Sequence, residues 1–200
     1  GMLVGGWTVS CIAYLLFALM LTRYMDHRPV RAAGLVFNRR AAKALLVGTG
    51  ISMVVVCCVT VVSRVLDPVV PSPSMDLRMP WWLIVVSVLV ILARCYVFQG
   101  IGEEAVMRGY LLQSFSDRPK RAVWISVVVF TIPHLISQGG QQNVADHVFY
   151  LATPFGFALA AAYLSLVMRS VWAGVGIHGG LHLGNAIVQM VGPEASGPIV

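Results

Sequence analysis

The sequence predicts an all-α, polytopic membrane protein, a bundle of about six transmembrane helices around an intramembrane polar cavity. Hydrophobic residues make up 58% of the 200 residues and charged residues only 11%, and the mean hydropathy is +0.82. Several apolar stretches approach the ~20 residues that cross a bilayer. Ionisable residues stand inside three of them, where an ionised side chain costs at least about 2.5–3.5 kcal/mol and therefore indicates a functional site.

The apolar stretches can be placed in order along the chain. We expect residues 1–200 to form a single integral membrane domain, with two leading helices before a motif-bearing core at about residues 80–191. The third stretch is long, and Gly100 and Gly102 are expected to interrupt it. The predicted spans are Leu3–Thr22, Ala44–Ser63, Pro80–Phe115, Ala122–Gln138, Val148–Met168 and Val171–Val191.

The basic residues predict the orientation of these helices. Six of them lie within residues 23–43, three within 118–121, and Arg169 follows in a third loop. An excess of Lys and Arg in alternate loops marks the cytoplasmic side, so both termini are expected outside. A nucleic-acid partner would instead favour one continuous basic patch, and we predict none.

The first motif is the segment Gly102–Arg108, which holds Glu103, Glu104 and Arg108. Consecutive helical residues point about 100° apart, whereas residues four apart share a face. Glu104 is therefore expected to pair with Arg108, which leaves Glu103 facing the cavity as a free base. The alternative is that both glutamates form only helix-packing ion pairs, although one arginine poorly neutralises two buried carboxylates.

Two histidine motifs follow on later helices. His134 comes directly after Pro133, and a proline tends to kink a helix and make room beside the imidazole. His178 and His182 stand one turn apart on one helix face, with Asn185 near the same face as a polar supporter. A histidine in a span can also serve only as an interhelical hydrogen-bond donor.

The motifs also share a depth in the membrane. Glu103 lies thirteen residues before Ser116, His134 thirteen residues after Arg121, and His182 thirteen residues after Arg169. At 1.5 Å per residue, the motif residues lie roughly 14–20 Å from the cytoplasmic boundary, near the middle of a core of about 30 Å. We predict that Glu103, His134, His178 and His182 converge on one cavity.

Two further polar residues need an interpretation. Asp146 is expected to be the N-cap of a helix that begins with His147. Arg94 falls in an apolar run, and Glu103 and Glu104 are too far along the helix to pair with it directly. The sequence alone therefore gives Arg94 no partner.

The motif order EExxxR, FxxxH and Hxxx with a polar fourth residue resembles that of the CPBP, or Abi, intramembrane proteases. This family includes type II CAAX prenyl endopeptidases and bacteriocin-processing or immunity proteins. The resemblance implies that Glu103 activates water with help from His134, and that Glu104 and Arg108 support them. It further implies that His178 stabilises an oxyanion or binds metal. A multi-pass protein of a bacterial plasma membrane is the localisation we expect.

The sequence departs from the family pattern at His182, where asparagine is usual. A neutral imidazole offers one N–H, which weakens a simple oxyanion-donor role. Three histidines beside Glu103 form a ligand set that suits zinc, so Glu103, His134, His178 and His182 are candidate metal ligands. A site without metal, in which Glu103 and His134 share the base role, stays open.

Three functions are compatible with these residues. The first is an intramembrane endopeptidase acting on a membrane-bound or prenylated peptide or protein by water activation, since no serine or cysteine is obviously paired with a histidine. The second is a non-catalytic membrane adaptor or immunity protein. The third is a proton-coupled transporter, for which the sequence lacks the expected inverted repeats. Membrane lipid is the other expected partner, and the oligomeric state is left open.

Overall fold

The computed structural model describes residues 2–66, 80–136 and 142–191, and every regular element in that part of the chain is helical. A short 3-10 turn, Val30–Ala33, connects the first two long helices. The fold class predicted from the sequence is therefore confirmed. In chain order the long helices are α1 (Met2–Met20), α2 (Arg39–Leu66), α3 (Trp81–Ser114), α4 (Pro119–Thr131), α5 (Val144–Met168) and α6 (Val171–Val191).

Among the described residues, four helical segments are long and apolar enough to cross a membrane: Gly5–Met25, Arg39–Leu66, Trp81–Ser114 and Val144–Met168. No residue of the first part of α3, Trp81–Leu92, is buried, as expected of a surface that faces lipid. The other two of the roughly six predicted spans, α4 and α6, are shorter or less apolar than these four. Helix α4 has 13 residues before a 3-10 turn, and the histidines, glycines and Asn185 of α6 lower its hydropathy.

Helix α6 forms the centre of the bundle, and small residues allow its close packing. A Cβ at Gly176 would overlap the carbonyl oxygen of Leu45 on α2, and a Cβ at Gly180 would lie 2.8 Å from the Cα of Thr49. The Ser52 hydroxyl of α2 donates to the carbonyl of Ile177 at 2.7 Å. Close backbone approach and interhelical hydrogen bonds drive helix association in lipid, where the hydrophobic effect supplies no force between helices.

Helix α3 is continuous, so the predicted interruption at Gly100 and Gly102 is wrong. Its hydrogen bonding instead changes to the π type over Ala93–Ile101 and again over Ala105–Leu111, on either side of the short α-helical segment Gly102–Glu104. Rather than breaking the helix, Gly102 lets α1 approach, because a Cβ there would lie 3.1 Å from the Cα of Cys11. Widened π turns are rare and frequently occur at functional sites.

Helix α4 ends earlier than the predicted span Ala122–Gln138. Its α-helical hydrogen bonds stop at Thr131, and a 3-10 turn, Ile132–Leu135, carries Pro133 and His134. The missing N–H of proline explains the change of helix type. Gln138, the end of the predicted span, lies outside the described residues.

The start of α5 also differs from the sequence prediction. The helix begins at Val144, and its N-cap is Asn143, whose side chain accepts a hydrogen bond from the Asp146 backbone N–H at 3.0 Å. Asp146 is therefore not the N-cap. It lies in the first turn, where its carboxylate accepts from the Gln142 backbone N–H at 3.1 Å. The first backbone N–H groups of a helix have no partner within the helix, and a side chain that precedes them can accept their hydrogen bonds. Asn143, three residues before Asp146, does so.

Candidate active site

A buried ion pair lies within α3, and its arginine links that helix to α5 by a hydrogen bond. Glu104 is 0% exposed and Arg108 1% exposed. Arg108 Nη1 donates to Glu104 Oε1 at 2.8 Å, and Nη2 donates to the carbonyl of Ala158 on α5, also at 2.8 Å. The contact that the i,i+4 spacing predicts is thus present. Each charge is compensated by the other, as burial of an ion requires.

His178 of α6 binds the same carboxylate. Its Nδ1 lies 3.2 Å from Glu104 Oε1, and the residue is only 4% exposed. An ionised carboxylate accepts hydrogen bonds only, so Nδ1 is assigned the proton and Nε2 is left for other partners. The edges of Phe130 and Phe157 pack near the imidazole, with ring centroids at 5.9 and 5.1 Å and interplanar angles of 82° and 83°. The ring orientation of His178 is therefore fixed from three sides.

His182 lies one turn further along α6. Its ring centroid is 5.0 Å from that of His178, at an interplanar angle of 30°, and its side chain is half-buried. The two histidines thus share a helix face, as their spacing predicts. Asn185 is half-buried on the same helix, and no described hydrogen bond joins it to either histidine.

His134 is oriented from the 3-10 turn that follows α4. Its Nδ1 lies 2.9 Å from the carbonyl oxygen of Phe130. Since a carbonyl only accepts, Nδ1 carries the proton in the neutral ring and Nε2 is an acceptor. The imidazole also stacks on Phe130 at 5.0 Å between ring centroids. Phe130 therefore lies against both His134 and His178. The FxxxH spacing places Phe130 beside His134, but its contact with His178 depends on how the helices pack.

Glu103 is half-buried on α3, directly before the buried Glu104. Within the part of the chain that the structure describes, no hydrogen bond or ion pair joins its carboxylate to another side chain, in contrast to that of Glu104. The structure thus separates a carboxylate held by Arg108 and His178 from one that is available for chemistry. A direct contact between Glu103 and His134, His178 or His182 is not among the described interactions, and their convergence on one cavity stays a prediction.

The predicted zinc ligands can be compared with this geometry. In His134 and His178 a hydrogen bond holds Nδ1, and no hydrogen bond to Nε2 is found in the described part of the chain. This arrangement orients histidine ligands in metal sites. Among the described residues, however, no three His, Cys, Asp or Glu side chains lie together as a metal-binding group. Zinc binding by Glu103, His134, His178 and His182 stays a prediction.

The second oxygen of Glu104 occupies a tight socket between α5 and α6. Glu104 Oε2 and Ser165 Oγ are buried and have no hydrogen-bond partner among the described residues. Both lie beside Gly174: a Cβ at that position would overlap Glu104 Oε2 and lie 3.2 Å from Ser165 Oγ. Glycine at 174 is therefore what allows the carboxylate to lie against α6 and reach His178.

Replacing Gly174 with alanine tests this socket. The added methyl group displaces the Glu104 carboxylate, so we expect Gly174→Ala to destabilise the protein by about 1–3 kcal/mol, as overpacking does. We also expect it to lower activity more than tenfold, because His178 loses its fixed partner. Melting temperature in detergent and initial cleavage rate measure the two effects.

The matched control is Gly156→Ala in α5, where nothing lies within 4 Å of the new Cβ. There the helix propensity of alanine should leave stability equal or slightly raised. Equal stability and activity in the two variants would show that Glu104 does not depend on Gly174.

The similarity to known proteins covers the part of the chain that holds these residues. The family model described as Type II CAAX prenyl endopeptidase Rce1-like matches residues 80–184. No curated protein and no solved structure matches the chain. The matched segment runs from the residue before α3 to Gly184 of α6, so it includes both glutamates, Arg108 and the three motif histidines. It covers more than half of the sequence, and the chain therefore belongs to the Rce1-like family of type II CAAX prenyl endopeptidases.

Proposed function

We propose that this protein is an intramembrane endopeptidase that hydrolyses a peptide bond near the membrane-embedded or prenylated end of its substrate. The observation that carries the proposal is the orientation of His134 and His178, in each of which a hydrogen bond holds Nδ1. The carboxylate of Glu103 has no hydrogen-bond or ion-pair partner among the described residues. Such groups provide acid–base chemistry in a membrane interior, where unneeded ionisable side chains are rare.

Water activation is assigned to Glu103 and His134. The carboxylate of Glu103 and the unprotonated Nε2 of His134 are both acceptors, so either takes a proton from the attacking water. The water oxygen then bonds to the carbonyl carbon of the scissile peptide and gives a tetrahedral oxyanion. The oxyanion then collapses, which re-forms the carbonyl group and breaks the C–N bond, while the proton passes to the leaving amine nitrogen. One product ends in a new carboxyl group and the other begins with a free amine, so the reaction balances as hydrolysis.

Oxyanion stabilisation is assigned to His178 and His182. With Nδ1–H directed to Glu104, His178 can donate from Nε2 only as an imidazolium, and the Glu104 carboxylate stabilises that cation. His182, one turn away, supplies an N–H of its own in the position where the family usually has asparagine. Glu104 thus acts on the reaction through His178, in the way that a carboxylate orients the histidine of a triad.

The membrane setting is inferred from the family, the apolar helices and the basic residues between them. The family and the four apolar helices indicate an integral membrane protein. We propose a multi-pass arrangement in a bacterial plasma membrane with both termini outside and the segments 23–43 and 116–121 inside, supported by the basic residues of these segments. Substrates would then reach the site from the lipid phase, through which prenylated segments diffuse.

A comparison of cellular membranes tests the function even while the natural substrate is unidentified. Mass spectrometry of C-terminal peptides should detect new termini when the wild-type protein is expressed and none with Glu103→Gln. Asp117→Asn is the matched control, because that carboxylate is 72% exposed in a loop and the change should leave cleavage intact. Identical termini with the wild type and Glu103→Gln would contradict the proposal.

The zinc prediction is tested at His182. A zinc site that includes this residue predicts that His182→Asn loses bound metal and activity together. Because no three candidate ligands come together among the described residues, we expect His182→Asn to keep at least a tenth of the activity, since an amide N–H replaces one oxyanion donor by another. Elemental analysis, with rates measured before and after chelation, decides between the two. Stoichiometric zinc that chelation removes along with activity would establish the metal site.

A further inference from the structure

Arg94 is a membrane-embedded cation that takes no part in the proposed hydrolysis. It lies in the first π-helical stretch of α3, Ala93–Ile101, thirteen residues beyond Trp81. None of the carboxylates in the described part of the chain forms an ion pair with it. Its guanidinium carbon lies 4.8 Å from the ring centroid of Trp7 on α1, and its side chain is exposed. A charged side chain within an apolar helix of a membrane protein indicates a functional role.

The contact with Trp7 orients the guanidinium without consuming its hydrogen bonds. A guanidinium above an aromatic ring is attracted by the face of the ring, and its N–H donors point outward in their own plane. Those donors match the two oxygens of a carboxylate, which arginine binds in a bidentate manner. The contact with Trp7 thus leaves the N–H groups of Arg94 in position to bind a planar anion.

Arg94 also lies at a useful distance from the proposed chemistry. Its π-helical stretch packs against α6, the helix of His178 and His182. Nine residues separate Arg94 from Glu103 on α3, about 13 Å along the axis. In a CAAX sequence three residues follow the modified cysteine, and an extended tripeptide spans roughly 10 Å. The length of the arginine side chain covers the roughly 3 Å between these two distances.

We propose that Arg94 binds the C-terminal α-carboxylate of the substrate and so sets which peptide bond lies at Glu103. This inference rests on the proposed function and adds to it a recognition site for a free terminal carboxylate. An endopeptidase with this anchor selects substrates by their end and cuts at a fixed distance from it.

The test compares two substrates that differ only at the terminus. A prenylated peptide with a free C-terminal carboxylate and its C-terminal amide are offered to the full-length protein in liposomes. A charge-assisted bidentate contact corresponds to about a 10- to 100-fold change in kcat/KM. We expect the wild type to prefer the acid by that factor, mainly through KM. Arg94→Gln should lose this preference while cleaving the amide as the wild type does, and Arg94→Lys should restore part of it.

Arg64→Gln is the matched control, because Arg64 is an exposed arginine in the last turn of α2 and lies outside the site. It should leave the preference unchanged. Equal cleavage of acid and amide by the wild type would overturn the proposal. An equal loss on both substrates in Arg94→Gln would also overturn it and would indicate that Arg94 binds lipid phosphate or supports the fold.

Binding measured separately distinguishes failure of this proposal from failure of the proposed function. Fluorescence anisotropy of the two labelled peptides is recorded on the wild type and on Arg94→Gln. If neither peptide is cleaved but the wild type alone binds the acid more tightly, carboxylate recognition stands and the endopeptidase assignment does not. If binding shows no acid preference, the role of Arg94 is refuted whether or not cleavage occurs.

Discussion

Glu103→Gln is expected to lower peptide cleavage by about 10²- to 10⁴-fold, the contribution typical of a positioned general base. The amide keeps the size of the side chain but cannot accept the proton of water. Because no described ion pair or hydrogen bond holds Glu103, the melting temperature in detergent should stay at the wild-type value. Initial rates in liposomes and thermal unfolding of the same preparation measure the two quantities.

Substitution of the neighbouring glutamate, Glu104, should have a different effect from substitution of Glu103. Glu104→Gln removes the charge that compensates the buried Arg108 and the partner of His178, so it should lower both stability and activity. If Glu103→Gln destabilised the protein and Glu104→Gln did not, the roles of the two carboxylates would have to be exchanged. If Glu103→Gln cleaved at the wild-type rate, Glu103 would not be the base.

Arg108→Ala is expected to have the largest effect on stability. It leaves the Glu104 charge at 0% exposure without its main partner, and breaking a buried ion pair on one side costs about 3–5 kcal/mol. For a chain of this size such a loss lowers the melting temperature by roughly 10 °C. Arg108→Lys should recover only part of it, because a single ammonium group cannot bind Glu104 and the Ala158 carbonyl with the geometry of a guanidinium.

The control for Arg108 is Arg118→Ala. Arg118 pairs with Asp117 in a loop, where the two side chains are 66% and 72% exposed, and exposed ion pairs contribute little. Thermal unfolding in detergent should therefore distinguish the two arginines clearly. Wild-type stability in Arg108→Ala would mean that neither the Glu104–Arg108 ion pair within α3 nor the hydrogen bond from Arg108 to α5 is structural.

The parts of this architecture that were predictable from the sequence depend on local periodicity. Hydropathy indicated the all-α membrane bundle, because a span must satisfy its backbone within itself. The pairing of Glu104 with Arg108 followed from four-residue spacing on one helix. The spacing of His178 and His182 likewise placed them on one face.

Contacts between helices were beyond the reach of the same reasoning. The hydrogen bond from His178 to Glu104 joins residues 74 positions apart, and no helical period determines which faces of α3 and α6 meet. The socket at Gly174 and Ser165 depends on that same packing. The sequence suggested that the glycines at 100 and 102 interrupt a helix. They instead permit close approach of neighbouring helices, and close packing is what stabilises a helix bundle in lipid.

Helix ends were predicted least well, since several residues compete to satisfy the same backbone groups. Asn143 takes the N-cap expected of Asp146, and Pro133 changes the end of α4 from α to 3-10. The second change matters for function because it places His134 in the turn where Nδ1 reaches the Phe130 carbonyl. The sequence predicted an altered helix at this proline but not its hydrogen bond.

Hydrolysis of one defined peptide is the most direct test of the central claim that Glu103 and the motif histidines cleave a membrane-bound substrate with water. Purified wild-type protein in liposomes is given a prenylated peptide in water enriched in heavy oxygen, and the products are identified by mass spectrometry. We predict two fragments from one internal cut, with one heavy oxygen atom in the new carboxyl terminus, and intact peptide with Glu103→Gln. Intact peptide with the wild type, or the same fragments at the same rate with Glu103→Gln, would contradict the account.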